Sequence, residues 1–185
     1  MMLPTHILMG IMVATPLLFI APEMSLYALI GAIFGSILPD LDLYFGHRES
    51  LHFPTLYPLL STLSFGMAVV LPTPVTIGIG FAFLGAAIHC FADIYGGGLE
   101  RRPWEQTSNI AVFDHVSRTW IPPRRVIRYD GAPEDLGIAV VLALPLYFLH
   151  EYPFSGVIVV ALVIAFLYTT FRRQFVPLMP GQRPS

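Results

Sequence analysis

The stretch VTIGIGFAFLGAAIHCFADIYGGG, Val75 to Gly98, stays apolar for most of its length and then stops on three consecutive glycines. A membrane-crossing helix takes about 20 apolar residues, and the run from Val75 to Tyr95 satisfies that before Gly96, Gly97 and Gly98 end it. Its only histidine and its only carboxylate, His89 and Asp93, fall near the end and are four residues apart. On a helix that spacing puts both on one face, so an imidazole and a carboxylate can converge on one ion. Gly85 lies one turn earlier, where a small residue lets a neighbouring helix approach closely. Ionisable groups in a membrane segment are costly and usually mark a functional path. The plainer alternative is a hydrogen-bonded pair that only joins two helices.

The rest of the composition extends this reading. Of 185 residues, 55% are hydrophobic and 12% charged, against roughly 25% charged in soluble domains. The mean hydropathy is +0.69. The windows Ile7–Ala21 and Val157–Thr170 contain no charged residue. The expected fold is an all-α, polytopic membrane helix bundle forming a single membrane-embedded domain. A net charge of −2 with no basic stripe gives no reason to expect nucleic acid. The lone Cys90 excludes an intramolecular disulfide and a cysteine-rich zinc framework. The first apolar segment lacks the basic start and small-residue cleavage site of a secretory signal, so it reads as a retained helix.

About six apolar segments are expected: Thr5–Ala21, Met24–Leu38, Pro54–Leu71, Val75–Tyr95, Leu136–Leu149 and Ser155–Phe171. Six crossings put the N-terminus, the 39–53 loop, the 96–135 loop and the C-terminus on one face. That face then carries all ten arginines: Arg48, Arg101, Arg102, Arg118, Arg124, Arg125, Arg128, Arg172, Arg173 and Arg183. The positive-inside rule makes it cytoplasmic. In the Arg-rich 95–135 loop, Trp104 and Trp120 read as anchors among lipid headgroups. A lid that attracts an anionic substrate is the functional alternative.

The same alternation gathers His6, the 38–54 stretch LPDLDLYFGHRESLHFP, and the His89–Asp93 pair at that face. Asp40 and Asp42 follow a helix end. In an extended segment, residues two apart face the same way, so both would reach one site. His47 and His52 would bracket it if the loop folds back, and Arg48 offers an always-charged planar fork for phosphate or carboxylate. Glu49 reads as a surface charge. Asp114 and His115 offer a weaker addition, and His150-Glu151, at the other end, read as surface residues. Carboxylate with imidazole suits zinc, manganese or iron more than copper(I).

The combined pattern resembles the YdjM-like family of inner-membrane-associated metal-dependent hydrolases over roughly the first 105 residues. The matching elements are Thr5-His6, Leu38-Pro39-Asp40-Leu41-Asp42, His47-Arg48-Glu49-Ser50-Leu51-His52-Phe53, and Gly85 with His89 and Asp93. Leu51 and Phe53 stand where the family carries Thr and Ser. The resemblance implies a hydrolase with a divalent metal, zinc first and manganese second. The expected ligands are His47, His52, His89 and Asp93, with His6 added and with Asp40 and Asp42 as ligands or a base. Arg48 is expected to clamp an anionic ester or lipid phosphate, with membrane lipids as surroundings and substrate source. A metal-ion transporter or sensor, or a membrane adaptor with a structural metal, are the rival functions. A transporter calls for ionisable residues near mid-membrane, whereas here they collect at one end.

This topology has a direct check. Single cysteines introduced after residues 73 and 130 in a Cys90→Ala background should label from opposite sides of the membrane. Labelling of both from one side would break the six-crossing arrangement.

Overall fold

A computed structural model describes residues 1–174, so the expected cytoplasmic Arg183 lies outside the described residues. The chain forms α1 (Leu3–Ala14), a short α2 (Leu17–Ile20), α3 (Pro22–Ile37), α4 (Leu56–Val70), α5 (Pro74–Tyr95), α6 (Pro133–Leu149) and α7 (Phe154–Phe171). Between α5 and α6 lies a small hairpin of β1 (Val112–Asp114) and β2 (Thr119–Ile121), paired antiparallel. Proline opens α3, α5 and α6, where its missing N–H costs nothing and its fixed φ suits a helix start. Thr73 and Thr76 close a capping box at the head of α5: the Thr76 amide donates to the Thr73 hydroxyl at 3.2 Å.

The bundle is helical as expected, but its helices differ in length. Among the described residues, four segments are long and apolar enough to cross a membrane: Leu3–Ile20, Pro22–Asp42, Pro74–Tyr95 and Phe154–Phe171. Helix α4 has 15 residues and α6 has 17, which gives axial rises of about 22 and 25 Å against a hydrocarbon core of about 30 Å. The first expected helix is interrupted at Thr15-Pro16, because proline cannot donate the next helical hydrogen bond.

The core is built from close backbone approaches more than from large side chains. Helix α3 packs between α5 and α1, α4 leans on α5, and α6 and α7 pair and reach α1. A Cβ on Gly31 would lie 2.1 Å from the Gly78 carbonyl oxygen, and one on Gly35 would lie within 1.8 Å of the Ala82 oxygen. A Cβ on Gly85 would meet the Ala32 oxygen at 2.5 Å, so the close approach expected at Gly85 is formed against α3. Small-residue contacts of this kind are how helices associate in lipid, where the solvent is already apolar. Around them Leu8, Ile11, Leu29, Leu146 and Ile158 are fully buried. Bulky residues such as Phe19, Val69, Val70, Val141 and Phe148 face outward.

Gly35→Ala should therefore force α3 away from α5. Overpacking a tight core costs typically 1–3 kcal/mol, occasionally more, so a drop in apparent Tm of the detergent-solubilised protein is expected. Gly66→Ala is the control, since nothing lies within 4 Å of its added Cβ; it should be neutral or gain up to about 1 kcal/mol from better helix propensity.

Candidate metal centre

The α3–α5 contact places the first part of the site. His89, in the last turns of α5, has Nδ1 2.7 Å from the Ser36 carbonyl oxygen of α3. A carbonyl can only accept, so Nδ1 carries a proton and the lone pair of a neutral ring sits on Nε2. His52 is oriented in the same way by a carboxylate: its Nδ1 lies 3.0 Å from Asp42 Oδ2. Among the described residues, both Nε2 atoms are buried without a hydrogen-bond partner. His52 Nε2 lies 3.4 Å from Asp93 Oδ2, and His89 Nε2 lies 3.5 Å from the same oxygen and 3.3 Å from Asp40 Oδ1.

One ligand atom from each of Asp40, His52, His89 and Asp93 thus falls within 4.8 Å of the other three. Two carboxylate oxygens and two imidazole lone pairs are all acceptors at this spacing, and Arg48, 3.2 Å from Asp93 Oδ2, reaches only one of the two carboxylates, which leaves room for a further positive charge. A divalent ion would supply it, and two nitrogens with two oxygens form a recognised donor set for zinc, iron or manganese. Each imidazole also donates its other N–H to an acceptor, the outer support that metal-ligating histidines usually have.

Asp40 and Asp42 separate, contrary to the extended-segment expectation that both reach one site. Residues Leu38–Asp42 form a 3₁₀ turn. At about three residues per turn, positions two apart point to different sides. Asp40 consequently turns toward His89, while Asp42 faces the loop. Asp42 Oδ1 receives His47 Nδ1 at 3.1 Å and the Arg48 amide at 3.4 Å; Oδ2 receives the Leu51 amide at 3.1 Å besides His52. Asp42 folds the loop and aims His52, and His47 is its partly buried partner, outside the four-residue group.

His6 lies beside the group without belonging to it. Its ring stacks on His89 with centroids 3.7 Å apart, and its Nε2 lies 3.2 Å from Asp93 Oδ1 and 3.2 Å from the Met1 carbonyl oxygen. Arg48 is buried, with φ +61°, a left-handed conformation that a non-glycine residue adopts at a cost. Its Nε lies 3.2 Å from Asp93 Oδ2, and its Nη1 donates to the Gly97 carbonyl at 2.8 Å. Burial pulls the guanidinium pKa down, but the Asp93, Asp130, Asp40 and Glu100 carboxylates outweigh it and hold it above its ordinary value. Arg48 is therefore a fixed charge beside Asp93. These bonds hold the guanidinium in place, so it is not the freely reaching side chain that a clamp was expected to be.

The 96–132 segment contributes support that no spacing rule indicated. The Phe113 amide of β1 donates to the Arg48 carbonyl at 2.9 Å, and His115 Nε2 lies 2.6 Å from the Glu49 carbonyl oxygen. The Arg124, Arg125 and Ile127 amides donate to the Ile94, Gly96 and Tyr95 carbonyls, tying the segment to the end of α5. Asp114 caps its own hairpin turn through the Ser117 amide and hydroxyl. Asp114 and His115 thus brace the site without joining it. His150 is buried at the other end, its Nε2 3.0 Å from the Thr15 hydroxyl, and is not the surface residue expected.

This arrangement separates ligands from supports. His89→Ala should abolish stoichiometric zinc or manganese binding, whereas Asp42→Asn should weaken it by about 10–100-fold, the usual cost of losing an outer-shell partner. Asp114→Asn should leave binding unchanged. Isothermal titration of the apo protein, with metal content by mass spectrometry, reads all three.

No family model, curated protein or solved structure matches this chain, so the metal-centre reading rests on its own residues and their geometry.

Proposed function

We propose that the chain is a membrane-bound, metal-dependent hydrolase acting on an ester, a lipid phosphate or an acyl ester, at the cytoplasmic membrane face. One observation carries the reading: the four-residue group is sealed at His52, His89 and Asp93 and open at Asp40. His52 and His89 are fully buried, while Asp40 keeps 22% of its side-chain surface. Asp40, Asp93 and Arg48 line a cleft of about 1450 Å³, larger than the ~300–1,000 Å³ typical of small-molecule pockets. A structural metal needs no such opening. The resemblance to the YdjM-like family supports the same reading, and we propose that kinship with it.

In this reading His52, His89, Asp93 and Asp40 hold a divalent ion, zinc or manganese. Such an ion supplies Lewis-acid polarisation of the scissile oxygen and lowers the pKa of water toward neutrality. The chain's own residues do the rest. Asp42 and the Ser36 carbonyl fix the two imidazoles. Asp40, the most exposed carboxylate of the group, takes the proton from water as the water oxygen bonds to phosphorus or to the acyl carbon. The ester oxygen leaves as the alcohol and receives that proton. Arg48 holds a positive charge at the cleft wall that favours an anionic group there.

Metal removal tests the proposal. The purified protein, assayed in mixed micelles against lipid phosphates and acyl esters, should lose turnover on chelation and regain it with zinc or manganese. Asp40→Asn should lower kcat by about 10²-fold or more, the usual worth of a general base. If no ester turns over while metal stays tightly bound, the structural-metal adaptor replaces the hydrolase.

A further inference from the structure

The cleft beside the metal group does not end there. Its polar end is formed by Asp40, Asp93, Arg48 and Glu100, with Tyr44 and Phe45 at the rim. Burial pushes the Glu100 carboxyl above its ordinary pKa range against the pull of Arg125. From this end the lining continues onto Leu3 and Ile7 of α1 and along one face of α7, through Ile164, Val160, Val157 and Gly156, to Pro153. These α7 positions recur at three- and four-residue intervals, so they form a continuous stripe. From Tyr168 to Pro153 the stripe is about 22 Å long at 1.5 Å per residue. One leaflet of a bilayer is half the ~30 Å hydrocarbon core.

Three features specify what fills such a space. The stripe is aliphatic and lies on a segment of mean hydropathy 2.3 of which 17% is buried, so in a membrane its surroundings are lipid tails. Two of its lining residues on α7 are exposed, Val160 at 57% and Ile164 at 50%. At its other end Arg48 and Arg172 line the cleft among the Asp40, Asp93, Glu100 and Asp130 carboxylates, and a divalent ion held by Asp40 and Asp93 would add the positive charge that a phosphate group meets there. An apolar chain beside a seat for an anionic head is the outline of a phospholipid.

We infer that the α1–α7 cleft binds one acyl chain of a membrane phospholipid and brings its phosphate-bearing headgroup to the Asp40–Asp93 end. The inference rests on the hydrolase reading for what happens at the head, but the cleft itself is tested by binding alone. Entry is lateral from the leaflet, past Val160 and Ile164. Gly156 sits toward the far end of the stripe and limits how deep the chain reaches. An added Cβ there meets only the Tyr152 ring within 4 Å, at 3.6 and 3.7 Å, which is ordinary contact, so the backbone accepts a side chain at this position.

The experiment uses the whole protein in phosphatidylcholine bilayers doped with phosphatidic acid bearing a diazirine at the end of one acyl chain. After irradiation, adducts on α7 are mapped by peptide mass spectrometry. Lipid that merely surrounds the helix should mark Val159, Val163 and Phe166, which are exposed and lie outside the cleft, as readily as Val157, Val160 and Ile164. Specific occupancy should mark the cleft residues several-fold more and be competed by unlabelled phosphatidic acid. Gly156→Phe should suppress adducts at Val157 and Val160 while metal content, which reports the folded site, stays unchanged. Equal marking of both faces, or unchanged marking in Gly156→Phe, overturns the inference. Turnover is read in parallel. Cleft marking without hydrolysis of any ester upholds the cleft and removes the hydrolase; hydrolysis of a soluble short-chain ester without cleft marking does the reverse.

Discussion

The contact between α3 and α5 fixes the distance on which the metal centre depends. Gly31 and Gly35 of α3 lie against Gly78 and Ala82 of α5 so closely that any Cβ on either α3 glycine would collide with backbone. That closeness brings the Ser36 carbonyl to 2.7 Å from His89 Nδ1. It also sets the start of the 3₁₀ turn that delivers Asp40 to His89 and Asp42 to His52. Were α3 held off by even one methyl group, the hydrogen bond that selects the His89 tautomer would be lost. Both carboxylates of the turn would then move relative to α5.

Charge balance is the second constraint. Asp93 is buried at the end of a membrane-length helix, where an unpaired carboxylate would be severely penalised. It is surrounded by Arg48, His6, His52, His89 and the Met1 nitrogen, each within 3.5 Å of one of its oxygens. Arg48 pairs with Asp93 and simultaneously bonds the Gly97 carbonyl, while its own backbone receives β1 and reaches Asp42. A left-handed backbone at Arg48 is tolerated because these bonds over-determine it. One residue thus joins the ligand loop, the end of α5 and the hairpin.

Helical periodicity made the largest part of this legible in advance. The bundle follows from long uncharged runs, and the His89–Asp93 pair follows from their four-residue spacing at the end of one such run. What spacing could not convey was the local backbone between Leu38 and Asp42. Two alternating carboxylates mean a shared site in an extended segment and opposite sites in a 3₁₀ turn, and proline permits either. Ser36 was invisible because it acts through its carbonyl, which every residue possesses. The 96–132 segment has no periodicity, so its docking on Arg48, Glu49 and the end of α5 left no signal beyond its arginines. Crossing number was legible only as a count of apolar segments, since α4, at 15 residues, and α6, at 17, are shorter than the four segments long and apolar enough to cross a membrane.

The central claim is that His52 and His89 direct Nε2 at one divalent ion together with carboxylates from Asp40 and Asp93. X-ray absorption at the metal edge tests it most directly, on full-length protein loaded with zinc and washed free of excess. The spectrum should show two imidazole nitrogens at about 2.0–2.1 Å with the remaining ligands oxygen and no sulfur. It should also lose imidazole scattering in a His52→Ala variant that still retains metal. A protein that holds no zinc or manganese after loading, or a first shell without imidazole, would contradict the account.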